Sequence, residues 1–115
     1  MSPLKIKKLS KIRSELDKLD NLLIKLIKKR TFLVKKVLLL KEKKSQIIDK
    51  RRIKEILLNI KKKSQKNNID PKITNKIWKN MIYAYIDYEK RNFKKKIIIY
   101  CVVEVFFQQK FHVFW

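Results

Sequence analysis

The sequence predicts an all-α fold: a three-helix chain with one long N-terminal helix, whose core a second copy completes. Three observations carry this. Glycine is absent and proline occurs only as Pro3 and Pro71, so the left-handed turns of hairpins and nucleotide-binding loops have no cheap source. Leu, Ile and Lys dominate, which suits long helices. Apolar residues near the start recur at alternating spacings of three and four, the signature of a helical seam. At 115 residues the chain has room for one domain.

The first helix is predicted over residues 9–44. Leu9, Ile12, Leu16, Leu19, Leu23, Leu26, Arg30, Leu33, Val37 and Leu40 form a heptad stripe with no breaker inside it. About 35 residues at 1.5 Å each make a rod of roughly 50 Å. A rod of that length cannot bury its own stripe. Residues 45–48 read as a connection. Asp49 is placed to cap a second helix that carries Ile53, Ile56, Leu57 and Ile60 on one face. The polar residues 61–68 suit a loop. Asp70 and Pro71 open a third helix, with the proline in its first turn. Its apolar face holds Ile73, Ile77, Trp78, Met81, Ile82, Ala84 and Tyr85, and the pattern fades near Phe93. Three helices of such unequal length call for a second copy.

Residues 1–8 are thus a lead, 9–93 the domain, and 94–115 a basic and then apolar tail. Residues 97–115 are rich in aromatic and β-branched side chains and read as a strand or an unstructured apolar segment. Glu104, Gln108, Gln109 and Lys110 leave too short an apolar run to span a membrane. Cys101 and His112 stand there without metal-ligand spacing. A single cysteine excludes an internal disulfide framework, and no apolar leader precedes Leu9, so a cytoplasmic protein is expected.

The formal charge is +22. It suits an anionic partner, and it equally suits lysines that merely solvate helix surfaces. Particular positions say more than the total. Arg30 is the one charge inside the heptad stripe, and a charge in a seam is costly unless paired. It is either matched by a carboxylate of a neighbouring helix or held for an anionic ligand. Lys41 follows eleven residues later, within roughly 20° of the same face and about 16 Å along the axis. Arg13 is offset from Arg30 by about 100°, so on a straight helix any site it serves belongs to another subunit. On the third helix Trp78, Ile82, Tyr85 and Glu89 form one stripe. Glu89 is either a surface acid at a fraying end or an acid whose protonated form donates a hydrogen bond.

Taken in register, these residues resemble the all-α, bacterial type II chorismate mutase family. Leu9-Ser-Lys-Ile-Arg13-Ser-Glu15-Leu-Asp17-Lys-Leu-Asp20 is similar to the family's L-x-x-[LI]-R-x-E-[IL]-D-x-[LI]-D. The segment from Leu22 through Arg30 to Val34 is similar to L-[LI]-x-L-[LI]-x-x-R-x-x-L-V. Lys41 falls at the family's lysine, Ile47-Ile48-Asp49-Lys50-Arg51-Arg52 resembles I-x-D-x-x-R, and Asp70-Pro71 and Trp78 through Glu89 resemble the last helix. The resemblance implies an intertwined helical homodimer with two composite sites and no cofactor or metal. Arg30, Lys41 and Arg52 come from one subunit and Arg13, in trans, from the other. The arginines hold the two carboxylates of chorismate, Lys41 and Glu89 face its ether oxygen, and the Asp49 region meets the hydroxyl. The implied reaction is an isomerase step of the shikimate pathway, chorismate to prephenate, towards phenylalanine and tyrosine.

The sequence also departs from the family. Ile53 stands where a glutamate usually follows the arginine of the second helix. Gln46 replaces a common proline, and the loop before Asp49 is one residue short. Tyr85 occupies a position often small or hydroxylated, and Glu89 one where glutamine is common. Loss of the glutamate at Ile53 admits a second activity on the same fold, isochorismate pyruvate lyase. A basic helical module for RNA or DNA accounts for the charge and for the runs Lys61-Lys62-Lys63 and Lys94-Lys95-Lys96. It leaves unexplained why Arg30 interrupts the seam, so no specific nucleic acid is expected.

Overall fold

The structure, a computed structural model, describes the backbone of residues 1–114 and the side chains of residues 1–93. Among the described residues the elements are three α-helices and one short 3-10 turn, in keeping with the all-α expectation. The chain forms two compact units, Met1–Val34 and Lys35–Trp115.

The first unit is helix throughout its length from Pro3. Helix α1 spans Pro3–Leu40 and so begins six residues ahead of the predicted start. Pro3 fits the first helical position, where a missing N–H costs nothing. Ser2 caps that end, its Oγ accepting the Lys5 N–H at 3.3 Å. The predicted seam lies open. Ile12, Leu16, Leu19, Leu23, Leu26 and Leu33 are each more than half exposed. Covering such a side chain contributes about 1.5–3 kcal/mol, so this stripe holds a large unspent driving force.

The second unit contains the only buried apolar cluster among the described residues. Ile47, Ile82 and Ile86 form its centre, and Ile53, Ile56, Leu57 and Phe93 pack against them. These residues come from the connection after α1, from α2 (Lys50–Lys66) and from α3 (Pro71–Phe114). The spacing explains the contact: Ile53, Ile56 and Leu57 share one face of α2, and Ile82, Ile86 and Phe93 one face of α3.

Local chemistry fixes the ends of these helices. The Asp49 side chain accepts the Arg52 N–H at 3.0 Å and starts α2 where the sequence placed the cap. At the other end Asn68 takes φ 56°, the left-handed turn usually left to glycine. Its N–H reaches the Gln65 carbonyl at 3.3 Å, and the Ile69 N–H reaches the Ser64 carbonyl at 2.9 Å. These two bonds make a Schellman stop with asparagine in the glycine position. Across the turn, the buried hydroxyls of Ser64 and Thr74 lie 2.7 Å apart and join α2 to α3.

Three expectations are corrected. The first helix stops at Leu40 rather than near residue 44, because the Gln46 side chain takes the amides of Glu42 and Lys43 out of the helical ladder. The second helix runs on to Lys66 through the stretch read as a loop; its lysines are good helix formers and Ser64 finds a buried partner. The third helix does not end near Phe93, and residues 97–114 are not a strand: α3 extends to Phe114. No proline or glycine follows Pro71 to stop it, and a helix satisfies its own backbone where a lone strand cannot. Cys101 and His112 lie outside the described side chains. No helix among the described residues is long and apolar enough to cross a membrane.

Candidate active site

The polar centre of the second unit is built on Lys41, the first residue after α1. Its backbone N–H bonds the Leu38 carbonyl at 3.2 Å, closing the helix with a tighter final turn. Its Nζ donates to Glu89 Oε2 at 2.8 Å and to the Ile47 carbonyl at 3.3 Å. Glu89 reaches this point from α3, one turn beyond Tyr85 and two beyond Ile82. Residue Glu89 is only 5 % exposed. The side chains of Lys41 and Glu89 are 18 % and 7 % exposed, so the pair is largely withdrawn from water. Opposite charges in such a place attract strongly, and each would be costly if left alone.

The surroundings follow from the same short segment. Lys41, Gln46 and Asp49 line one open groove together with Leu40 and Ile48. Asp49 is exposed, with one oxygen engaged in the α2 cap. Arg52 is exposed, and its Nη1 lies 3.3 Å from Glu55 Oε1. An exposed pair of that kind holds a side chain loosely. Tyr85 is half-buried on α3. Ile53, which stands at the family's glutamate position, packs against the isoleucine cluster. Arg13 and Arg30 belong to the first unit, where Arg13 is exposed and Arg30 half-buried.

Of the residues singled out in the sequence, the second unit therefore brings Lys41 and Glu89 into direct contact and puts Asp49 on the same groove. Ile47 was missed. Its contribution is a main-chain carbonyl, which side-chain identity does not reveal. Its buried side chain explains how the carbonyl is held, since Ile47 is anchored in the core at 3 % exposure.

An ammonium and a carboxyl group held this way can grip and polarise an oxygen atom brought to them. They present no activated nucleophile. The geometry suits a reaction in which charge shifts within a bound molecule. A family model described as chorismate mutase type II matches residues 12–90, most of the chain, with Lys41, Glu89, Arg13, Arg30 and Arg52 all inside the match. The chain belongs to that family. No curated protein and no solved structure matches it.

Proposed function

We propose that this member of the chorismate mutase type II family is itself a chorismate mutase, an isomerase that converts chorismate to prephenate in the cytoplasm, on the route to phenylalanine and tyrosine. The observation that carries the reading is the Lys41–Glu89 pair at 2.8 Å, inside the residues that the family model matches.

The reaction is a unimolecular [3,3] rearrangement. One carbon–oxygen bond breaks, one carbon–carbon bond forms, and no atom enters or leaves. The protein has to hold the folded conformer in which the reacting carbons approach, which removes an entropic barrier. It also has to stabilise the negative charge that grows on the ether oxygen as its bond to carbon breaks. Lys41 supplies a cation to that oxygen, and Glu89 holds the ammonium in place at 2.8 Å. Arg30 and Arg52 hold the two carboxylates, with Arg13 contributed by a second copy, and Asp49 receives the hydroxyl. Ile53 and Tyr85 complete the substrate-binding set, with Ile53 acting through the packing of α2. The open stripe on α1 supports the homodimer, because a second copy of the same stripe is a self-complementary cover.

The test is incubation of the purified chain with chorismate, followed by product analysis. Prephenate above the uncatalysed rate supports the reading, and its absence rejects it. Pyruvate released from isochorismate, with no prephenate from chorismate, assigns the pocket to the lyase reaction.

A further inference from the structure

We propose that Gln46 is a positioning residue for Lys41, setting the ammonium in place by closing the loop that carries its second acceptor. The inference rests on the reading of Lys41 as a catalytic group. It deepens that reading by naming what holds the group still.

Residues 41–47 form a closed circuit. The circuit leaves α1 at Lys41 and returns at Ile47, whose carbonyl accepts from Lys41 Nζ at 3.3 Å. The loop begins and ends on one residue's ammonium. Its interior is tied by a single side chain. Gln46 Oε1 accepts the Glu42 N–H at 2.7 Å and the Lys43 N–H at 2.9 Å. The backbone adds the Gln46 N–H to the Lys43 carbonyl at 3.0 Å and the Ile47 N–H to the Lys44 carbonyl at 3.2 Å. Gln46 thus draws the first residues of the loop onto its last ones.

Beyond these backbone bonds and the Lys41–Ile47 contact, Gln46 is the side chain that ties the loop's first amides to its end. The loop contains neither proline nor glycine, and Glu42, Lys43, Lys44 and Ser45 are all exposed. Ile47 is anchored in the core, so the far end is fixed. The near end is held at Lys41 by α1 and Glu89, and the residues just after it, Glu42 and Lys43, are held through the two amides that Gln46 receives. An oxygen accepting two N–H donors also fixes the amide plane, since the NH2 end cannot replace it. Without that oxygen the amides of Glu42 and Lys43 turn to solvent, the loop opens, and Lys41 Nζ keeps Glu89 but loses a defined approach to the Ile47 carbonyl. A displacement of about 1 Å at a reacting group costs up to about a hundredfold in rate.

The experiment uses the full chain with Gln46→Ala and Gln46→Glu, the latter keeping an acceptor oxygen at the same reach. Three readouts are taken: exchange of the Glu42 and Lys43 amides, the NMR signal of the Lys41 ammonium protons, and kcat and KM for chorismate. Gln46→Ala is expected to speed exchange of both amides by about tenfold or more, as befits residues released to the mobile end of local stability. It should also broaden the Lys41 signal and lower kcat about tenfold with KM changed far less. Gln46→Glu should recover most of each effect. A sharp, unshifted Lys41 signal in Gln46→Ala overturns the proposal, whatever the activity. So does an undiminished kcat alongside accelerated amide exchange. If the unaltered chain makes no prephenate, the assignment of the reaction fails, and the Lys41 signal still decides whether Gln46 positions the ammonium.

Discussion

The two units of this chain spend their apolar residues in opposite ways. In Met1–Val34 Leu16, Leu19, Leu23, Leu26 and Leu33 of the heptad stripe stay more than half exposed, although their spacing is the most regular in the sequence. In Lys35–Trp115 fewer and less regular isoleucines are buried, and one of them, Ile47, gives its carbonyl to the Lys41 ammonium. Regularity therefore does not measure burial within one chain. A perfect seam is an offer to a partner, whereas an irregular one already has its partner on the neighbouring helix. The Lys41–Glu89 pair is withdrawn from water within the second unit, which also carries Arg52 on α2, whereas Arg13 and Arg30 belong to the first unit.

The sharpest way to break this contrast is to remove one member from each unit. Lys41→Ala should lower kcat by roughly a thousandfold, the scale for losing one charge-stabilising donor, without changing oligomeric mass. Arg13→Ala and Arg30→Ala should each be nearly inactive alone. Mixed and refolded in equal amounts, they should regain about a quarter of the native activity, since half of the dimers are mixed and each carries one intact site. Steady-state kinetics and a sedimentation check for heterodimers read the outcome. Recovery of nothing in confirmed heterodimers would place Arg13 on its own subunit's site.

A second way is to charge the open stripe. Leu16→Glu with Leu23→Glu puts like charges into the seam while leaving the isoleucine cluster untouched. The expected result is a halved mass by light scattering and activity lost with it, because a like-charge seam opposes association. If the variant keeps its mass, something other than a second copy's stripe covers α1. The complementary change, Ile82→Ala, should destabilise the second unit by about 2–5 kcal/mol through a cavity at its centre, read by denaturant unfolding.

Much of this organisation was legible beforehand, and the rest failed for identifiable reasons. The α1 stripe, the Asp49 cap and the start of α3 at Pro71 follow from local rules that one strand of sequence contains. Lys41 and Glu89 are 48 positions apart; Lys41 stands out because it shares the face of Arg30, and Glu89 because it extends an apolar stripe. The end of α1 was misplaced because Gln46, a side chain that competes with the helix for amides, carries no periodic signal. The tail was misread because β-branched composition speaks for a strand only when another strand is there to pair with.

Glu89 sharpens the comparison from the chemical side. Glu89→Gln replaces the acid with an amide of the same shape. Its carbonyl still accepts from Lys41, and its N–H2 can still face an ether oxygen. It should retain turnover within about tenfold, whereas Glu89→Ala should lose far more, since it leaves the Lys41 ammonium short of its closest partner. If both variants lose activity equally, the charge of Glu89 matters and not its hydrogen bond.

The smallest expected effect lies at the stop between α2 and α3. Asn68 holds φ 56°, where a residue with a Cβ is strained and asparagine is among the best tolerated. Asn68→Ala keeps the Cβ and gives up the polar side chain that eases this conformation, so it should cost about 1 kcal/mol. Asn68→Gly removes the Cβ clash but adds freedom to the unfolded chain, so the two effects nearly cancel. Both variants should keep the native kcat, because the turn touches neither Lys41 nor Glu89. Thermal unfolding and turnover, measured on the same samples, separate the outcomes. A drop in kcat in Asn68→Ala at temperatures where the protein is fully folded would mean that the helix stop governs the pocket as well as the fold. The second unit would then be a single cooperative element from its turn to its ammonium, unlike the open rod that precedes it.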